Sequence, residues 1–312
     1  MTTLGRTRRL FLIMSITCCL FSNSWIIVWM ALEVNTISFC AILLFIISKE
    51  TTHKESIIKY FMVQSMASAL LLLRRSYEME GRTFMTVWII LAILMKMGRV
   101  PFHQWFINTR SALSLMGASM LITTQKILPI FLTSLVKRRV FLVFAVINIV
   151  LGAISQYYTK KLLTMLSLSS VANLGWLIVA SQLCTNTIWT IVTIYMANVI
   201  LVFVYMSKKE RKETNKRKGD TVSVMLLLSS LAGIPPLMVF LPKWIVAKEI
   251  IEQRILVPII LLLTISSVRI YIYLRIFTPI IITSPSVKGK WSGLKPLNAL
   301  FVLTLALSTV II

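Results

Sequence analysis

Long apolar runs separated by short polar segments recur along the whole chain. A bilayer-crossing α-helix needs about 20 mostly apolar residues. Eleven segments meet or approach that length: Leu10 to Phe21, Trp25 to Ser48, Ile57 to Leu73, Phe84 to Met97, Leu113 to Leu135, Val140 to Tyr157, Leu162 to Ala180, Ile188 to Met206, Val222 to Ala247, Leu256 to Phe277 and Leu297 to Ile312. The first and fourth are short. The runs lack the polar alternation of barrel strands, so the pattern predicts an all-α integral membrane protein whose residues 1–312 form one polytopic membrane domain. Arg6, Arg8 and Arg9 before the first run give it the look of a secretory signal peptide. No small-residue cleavage site closes it before Trp25, and a second span follows at once, so it reads as the first transmembrane helix.

Composition removes the soluble alternative. The chain has 312 residues, 57% of them hydrophobic and 14% charged, with a mean hydropathy of +0.86; soluble domains carry roughly a quarter charged residues. The net charge of +23 does not indicate a nucleic-acid binder, because the basic residues fall between apolar runs instead of forming one face of a folded domain. Sorted by alternate loops, 19 basic residues lie on the N-terminal side and 7 on the other, with Arg99 and Arg110 counted in the larger group. The positive-inside rule then predicts the N-terminus inside and, after an odd number of spans, the C-terminus outside. Cys18, Cys19, Cys40 and Cys184 lie in or beside apolar spans without CxxC or Cys/His metal spacing. Inert packing is expected of them, with neither a metal cluster nor a disulfide framework.

Seven basic residues remain in or against the spans: Lys59, Lys96, Lys126, Lys243, Lys248, Arg269 and Arg275. Charges at bilayer depth cost a few kcal/mol and usually face a bundle interior or a water-filled path. Lys59, Lys248 and Arg275 lie near span ends, where long cationic side chains snorkel to the interface. Lys126 and Lys243 lie deeper, and Lys96 is intermediate. Glu33, inside WIIVWMALEVNTISF, is too short to snorkel far and calls for an internal cationic partner. Two readings follow, a static Glu–Lys staple or proton handling. Burial and neighbouring carboxylates push a lysine's proton affinity in opposite directions, so a buried lysine beside a titrating acid can switch between charged and neutral. Polar residues in the spans, among them Gln64, Gln125, Asn173 and Asn198, serve either a relay or helix–helix hydrogen bonds. Pro129 follows Lys126, and Gly233, Pro235, Pro236 and Pro242 precede Lys243. Irregular backbone, of the kind that builds ion sites in transporters, is therefore expected beside both lysines.

Several stretches also carry a family likeness: SNSWIIVWMALEVNTISF, KESIIKYFMVQSMAS, MKMGRVPFHQWF, LITTQKILPI, LSLSSVANLGW, GIPPLMVFLPKW and IYIYLRIF. In this order they resemble the subunit 2 family of the membrane arm of mitochondrial respiratory complex I, NADH:ubiquinone oxidoreductase, animal type. The likeness implies an antiporter-like fold with discontinuous helices. The full family architecture has fourteen helices, and a chain of this length resembles the form that lacks three N-terminal ones. It also implies a proton-translocating subunit in which Glu33 and Lys96 form a pair, Lys126 is the central relay and Lys243 the distal lysine. The implied partners are neighbouring antiporter-like and small membrane subunits, accessory subunits and phospholipids such as cardiolipin, with no nucleic acid. The implied location is the mitochondrial inner membrane, with the N-terminus on the matrix side and the C-terminus in the intermembrane space.

The chain departs from the family pattern at several positions. Asn173 stands where family members commonly have a histidine, Val239 and Arg99 replace usual small residues, and Arg269 matches nothing in the pattern. A partnered structural charge or a contact with a neighbouring subunit is expected of Arg269. His103 in PFHQW reads as a turn residue or as a titrating loop histidine, and His53 as a solvated loop residue. The basic loop SKKERKETNKRKGD reads as a solvated linker that also suits anionic lipid. No GxGxxG loop, phosphate loop or iron–sulfur cysteine set is present in the sequence. No cofactor is therefore expected on this chain, and NADH, FMN, iron–sulfur clusters and ubiquinone fall to other subunits. A structural spacer and a stand-alone cation/proton antiporter are the other functions the sequence allows.

Overall fold

The computed structural model describes residues 3–46, 51–76, 82–136, 140–159, 161–184, 187–211, 228–234, 237–254 and 256–283. Among them are twelve helices: α1 (Thr3–Phe21), α2 (Trp25–Ile46), α3 (Thr51–Ser76), α4 (Arg82–Met97), α5 (Gln104–Ala112), α6 (Leu115–Ile122), α7 (Thr124–Leu135), α8 (Val140–Tyr158), α9 (Leu162–Leu183), α10 (Ile188–Arg211), α11 (Phe240–Glu252) and α12 (Leu256–Thr283). A further helical stretch covers 228–232. Among the described residues, five stretches are long and apolar enough to cross a membrane: Trp25–Phe45, Leu115–Leu135, Val140–Tyr158, Leu163–Leu183 and Ile188–Ser207. The span expected at Leu297 to Ile312 lies outside the described residues.

The fifth expected span is not one helix. It is broken at Thr123, with φ −99° and ψ −81°, into α6 and α7. The side chains of Thr123 and Thr124 donate back to the carbonyls of Ser119 and Met120 at 2.8 and 2.9 Å, bonds of a kind that bend helices. Irregular backbone was expected beside Lys126, and the break at Thr123 lies three residues before it, while Pro129 lies within α7. The segment Phe102–His103 leads into α5, a helix the sequence reading missed. Its nine residues mix polar and apolar positions without a long apolar run, so the length criterion for spans passes over it.

The chain divides into two compact units. Unit 1 comprises Met1–Phe141 and Lys161–Ser167, and unit 2 comprises Leu142–Lys160 and Leu168–Ile312. In unit 1, α1 packs on α2, α2 on α3 and α3 on α4, while α7 packs against α1 and α4. In unit 2, α11 packs against α10 and α12. Outward-facing Leu10, Ile37, Phe45, Met62 and Met66 are exposed on unit 1 and Ile260, Leu263 and Tyr271 on unit 2, an apolar surface that suits lipid better than water.

Two basic residues read as loop charges prove to be interior. Arg99 and Arg110 are 0% and 1% exposed. Arg99 follows the end of α4, and Arg110 sits in the last turn of α5 and donates to the Leu163 carbonyl. Both therefore leave the 19-residue side of the charge count. Lys59 and Arg275, expected to reach the interface, both lie on the surface of their helices. Lys59 is exposed and pairs with Glu55 at 3.8 Å, and the Arg275 guanidinium lies 5.1 Å from the centre of the Tyr157 ring.

Candidate proton-handling site

Two helix ends, one in each unit, carry the carbonyls that the candidate lysines meet, and each is followed by a glycine of positive φ. α4 ends before Gly98, whose φ of +64° is the left-handed conformation that favours glycine. The Gly98 N–H donates to Met95 O and the Arg99 N–H to Leu94 O, both at 3.0 Å, which is a Schellman termination. The helical stretch 228–232 ends before Gly233, with φ +79°, whose N–H donates to Ser230 O at 3.1 Å. A proline follows three residues after each glycine, Pro101 and Pro236, as expected where a helix cannot continue.

This termination satisfies the earlier carbonyls and leaves the last two without an N–H donor from their own helix. In the first break these are the carbonyls of Lys96 and Met97, in the second those of Leu231 and Ala232. With no bulk water in a bilayer core, unmet carbonyls cost several kcal/mol, and side chains meet them in the same order in both units. In unit 1 the Gln64 amide donates to Lys96 O at 3.2 Å and the Lys126 ammonium to Met97 O at 2.5 Å. In unit 2 the Asn173 amide donates to Leu231 O at 3.1 Å and the Lys243 ammonium to Ala232 O at 2.5 Å. An amide holds the first carbonyl and a lysine the second. A cation at a helix C-terminus is also favoured by the helix dipole.

Both lysines are buried, Lys126 at 1% and Lys243 at 7% exposure. Aromatic faces lie beside both ammonium groups. Lys126 Nζ lies 4.2 Å from the centre of the Phe106 ring and 5.7 Å from that of Trp105. Lys243 Nζ lies 6.0 Å from the centre of the Trp176 ring. Such contacts are worth about 2 kcal/mol or more for a desolvated cation. α5 thus has a specific job, since it carries both rings that face Lys126.

Lys96 is the third buried lysine, 3% exposed. The Glu33 carboxylate on α2 acts on it electrostatically, although among the described residues the two do not meet as a contact ion pair. Glu33 is only part-buried. Unit 1 therefore brings Lys96, Glu33 and Lys126 into one region, with Lys126 bonded to the residue that follows Lys96. Lys243 belongs to unit 2.

A polar chain runs beside the unit 1 site. Asn35 donates to Gln125 Oε1 at 2.8 Å, Tyr60 OH to the same oxygen at 3.1 Å, and Ser15 Oγ to Asn35 Oδ1 at 3.4 Å. Gln125 precedes Lys126 in sequence, so this network fixes the start of α7 and with it the lysine. Replacing Gln64 by leucine is expected to leave Lys96 O unmet, at a cost of about 1–3 kcal/mol. The readout is a lower amount of assembled protein with unchanged activity per assembled molecule.

The region spanning both breaks also matches a known family. The description NADH:quinone oxidoreductase/Mrp antiporter, TM covers residues 73–272. The chain belongs to this family. Among its relatives, NADH-ubiquinone oxidoreductase chain 2 of Locusta migratoria is 32% identical over 82% of this chain and 79% of its own length. The Gallus gallus protein of the same name is 30% identical over 96% and 94%. A chain of respiratory complex I from Thermus thermophilus shares the fold, with a TM-score of 0.79 at 17% identity over 97% of this chain and 77% of that one. A chain of the Mrp complex from Dietzia does so with a TM-score of 0.75 at 15% identity, over 86% and 59%. The protein is thus an all-helical membrane protein with the antiporter-like fold, of the complex I subunit 2 type.

Glu33, Lys96, Lys126 and Lys243 were singled out from the sequence as candidates, but not the groups that hold the lysines. Gln64 was named only as a polar residue within a span and Asn173 also as a replacement for a family histidine, and their shared role as the amide beside a lysine was missed. The repeated glycine with proline three residues later was the available signal. Arg269, unmatched in the family pattern, is fully buried, and its guanidinium donates to Asn173 Oδ1 at 2.8 Å, Ser169 O at 3.3 Å and Leu231 O at 3.4 Å. It is a partnered charge inside unit 2. His103 precedes the first residue of α5 and its carbonyl accepts from the Ile107 N–H at 3.2 Å, a turn position. His53 lies in the first turn of α3 and not in a loop.

Proposed function

We propose that this chain is a proton-translocating core subunit of the membrane arm of a mitochondrial NADH:ubiquinone oxidoreductase, folded as one polytopic membrane domain. In this reading it has about eleven spans, with its N-terminus on the matrix side and its C-terminus in the intermembrane space. The observation that carries the reading is the placement of two buried lysines on the end carbonyls of interrupted helices. An ammonium held by one backbone oxygen and aromatic faces, with no contact carboxylate among the described residues, is poised to lose and regain a proton. A purely structural role would be met better by an apolar side chain or a paired charge. Family membership and the curated relatives support the same reading.

In this mechanism Glu33 and Lys96 form the input pair. A change in the field at Glu33 alters the charge on Lys96, Lys126 receives or yields a proton next to it, and Lys243 serves the second half of the path. Electrons never enter this chain. It binds no cofactor, and NADH, flavin, iron–sulfur clusters and ubiquinone belong to other subunits. Its partners are other membrane-arm subunits, accessory subunits and phospholipids, which the broad apolar surface favours.

Glu33→Gln tests the input pair. Turnover per assembled complex is expected to fall several-fold, because the neutral amide removes the one carboxylate acting on Lys96. A fall in the amount of assembled complex with normal turnover per complex would make the pair a static staple and the chain a spacer.

A further inference from the structure

Arg269 has no place in the proton path proposed above, yet its side chain is fully buried. It sits midway along α12 and ties two other elements of unit 2 together. Its Nη1 donates to Asn173 Oδ1 at 2.8 Å, and its Nη2 donates to Ser169 O at 3.3 Å and to Leu231 O at 3.4 Å. Ser169 and Asn173 lie one turn apart on α9, and Leu231 lies near the end of the helical stretch 228–232. One planar fork therefore joins α12, a turn of α9 and the helix end on which Lys243 is seated.

The fork also decides how Asn173 is turned. A guanidinium has donors and no acceptor, so the amide has to present its oxygen to Arg269. Its nitrogen then faces Leu231 O, to which it donates at 3.1 Å. Leu231 O thus takes two donors, which uses both of its lone pairs. The next carbonyl along the chain is that of Ala232, the acceptor of the Lys243 ammonium. A Cβ added at Gly233 would lie 2.5 Å from Lys243 Nζ, so the end of the lysine lies directly against this backbone. Displacing a reacting group by about 1 Å can cost about a hundredfold in rate.

We propose that Arg269 and Asn173 are positioning residues for Lys243, a hydrogen-bonded bracket that holds the Leu231–Ala232 helix end where the ammonium exchanges its proton. Arg269 acts through its fork on the amide and on the helix end, and Asn173 passes that hold on by keeping its nitrogen on Leu231 O. The inference rests on the proton-carrier reading of Lys243 and adds to it the side chains that fix the carrier's seat.

The test uses the assembled complex, with proton-coupled turnover measured per assembled complex. Arg269→Met keeps a long side chain but removes every donor, and it is expected to lower turnover about tenfold or more. Asn173→Leu is expected to do the same. Because both residues hold one carbonyl, the double variant should be no worse than either single one. Arg269→Lys keeps the cation but has no planar fork to serve three acceptors at once, and its turnover is expected to lie between that of Arg269→Met and the unaltered protein. Unchanged turnover per complex in Arg269→Met and Asn173→Leu, even with less complex assembled, would overturn the proposal and leave a structural pin. Additive losses in the double variant would overturn it too, as would full turnover in Arg269→Lys, since charge without the fork would then suffice. If Arg269→Met fails to assemble, Asn173→Leu and Arg269→Lys decide: a fall in both supports the bracket, and full turnover in either overturns it. Lys243→Ala separates the two levels. Unchanged proton flux there would remove the carrier reading itself, whereas lost flux there with full flux in Arg269→Met and Asn173→Leu removes only the bracket.

Discussion

Lys126→Arg is expected to assemble nearly normally and yet to lose most proton-coupled turnover. Arginine can still donate to the Met97 carbonyl and stack on the Phe106 and Trp105 rings, so the cap and its cation survive. What it cannot do is release a proton. A positioned proton carrier is worth about 10²- to 10⁴-fold in rate, and turnover per assembled complex should fall by at least about tenfold. Lys126→Ala removes both functions, leaving Met97 O unmet, and is expected to lower assembly as well as turnover. The two variants together separate the lysine as a cap from the lysine as a carrier. Full turnover in assembled Lys126→Arg would leave only the cap.

Gly233→Ala is the second large effect. A residue with a Cβ at φ +79° costs about 1–2 kcal/mol, and the added carbon would lie 2.5 Å from Lys243 Nζ and 2.9 Å from its Cε. The end of the Lys243 side chain therefore has to shift from its seat on the Ala232 carbonyl. The expected result is a turnover defect as severe as that of Lys243→Ala, although the lysine is still present. Because both changes act on one contact, the double variant should be no worse than either single one. Additive losses would mean that the glycine is needed for the backbone alone. Gly98 makes a useful comparison, since a Cβ there meets the backbone-proximal carbon of Phe106 at 2.7 Å and not the lysine.

The membrane-spanning pattern and the four titratable residues were legible in the sequence for a plain reason. Charge at bilayer depth is costly, so Glu33, Lys96, Lys126 and Lys243 stand out against apolar neighbours. The interruption before Lys243 was legible from Gly233 and its following prolines. The break beside Lys126 was legible as irregular backbone near that lysine, but Pro129 does not make it: it falls at Thr123, where two threonines bond back to their own helix. Arg99 and Arg110 were misread because a residue outside an apolar run looks like a loop charge. Only the folded chain shows that both are buried. The pairing of Gln64 with Lys126 and of Asn173 with Lys243 depends on which carbonyls a Schellman termination leaves open, and no hydrophobic pattern reports that. Asn173 in place of a family histidine gains a meaning from this geometry, since the position needs a donor for Leu231 O and an acceptor for Arg269, and an amide supplies both.

The central claim is that Lys126 and Lys243 exchange protons, and ordered water tests it most directly. In a water-resolved structure of the assembled complex, the account predicts hydrogen-bonded waters reaching the ammonium groups of Lys126 and Lys243 and running on toward polar side chains on either side. Lysines that stay dry, each bonded only to its helix-end carbonyl, would contradict it and leave the chain a membrane spacer with two well-capped helix breaks.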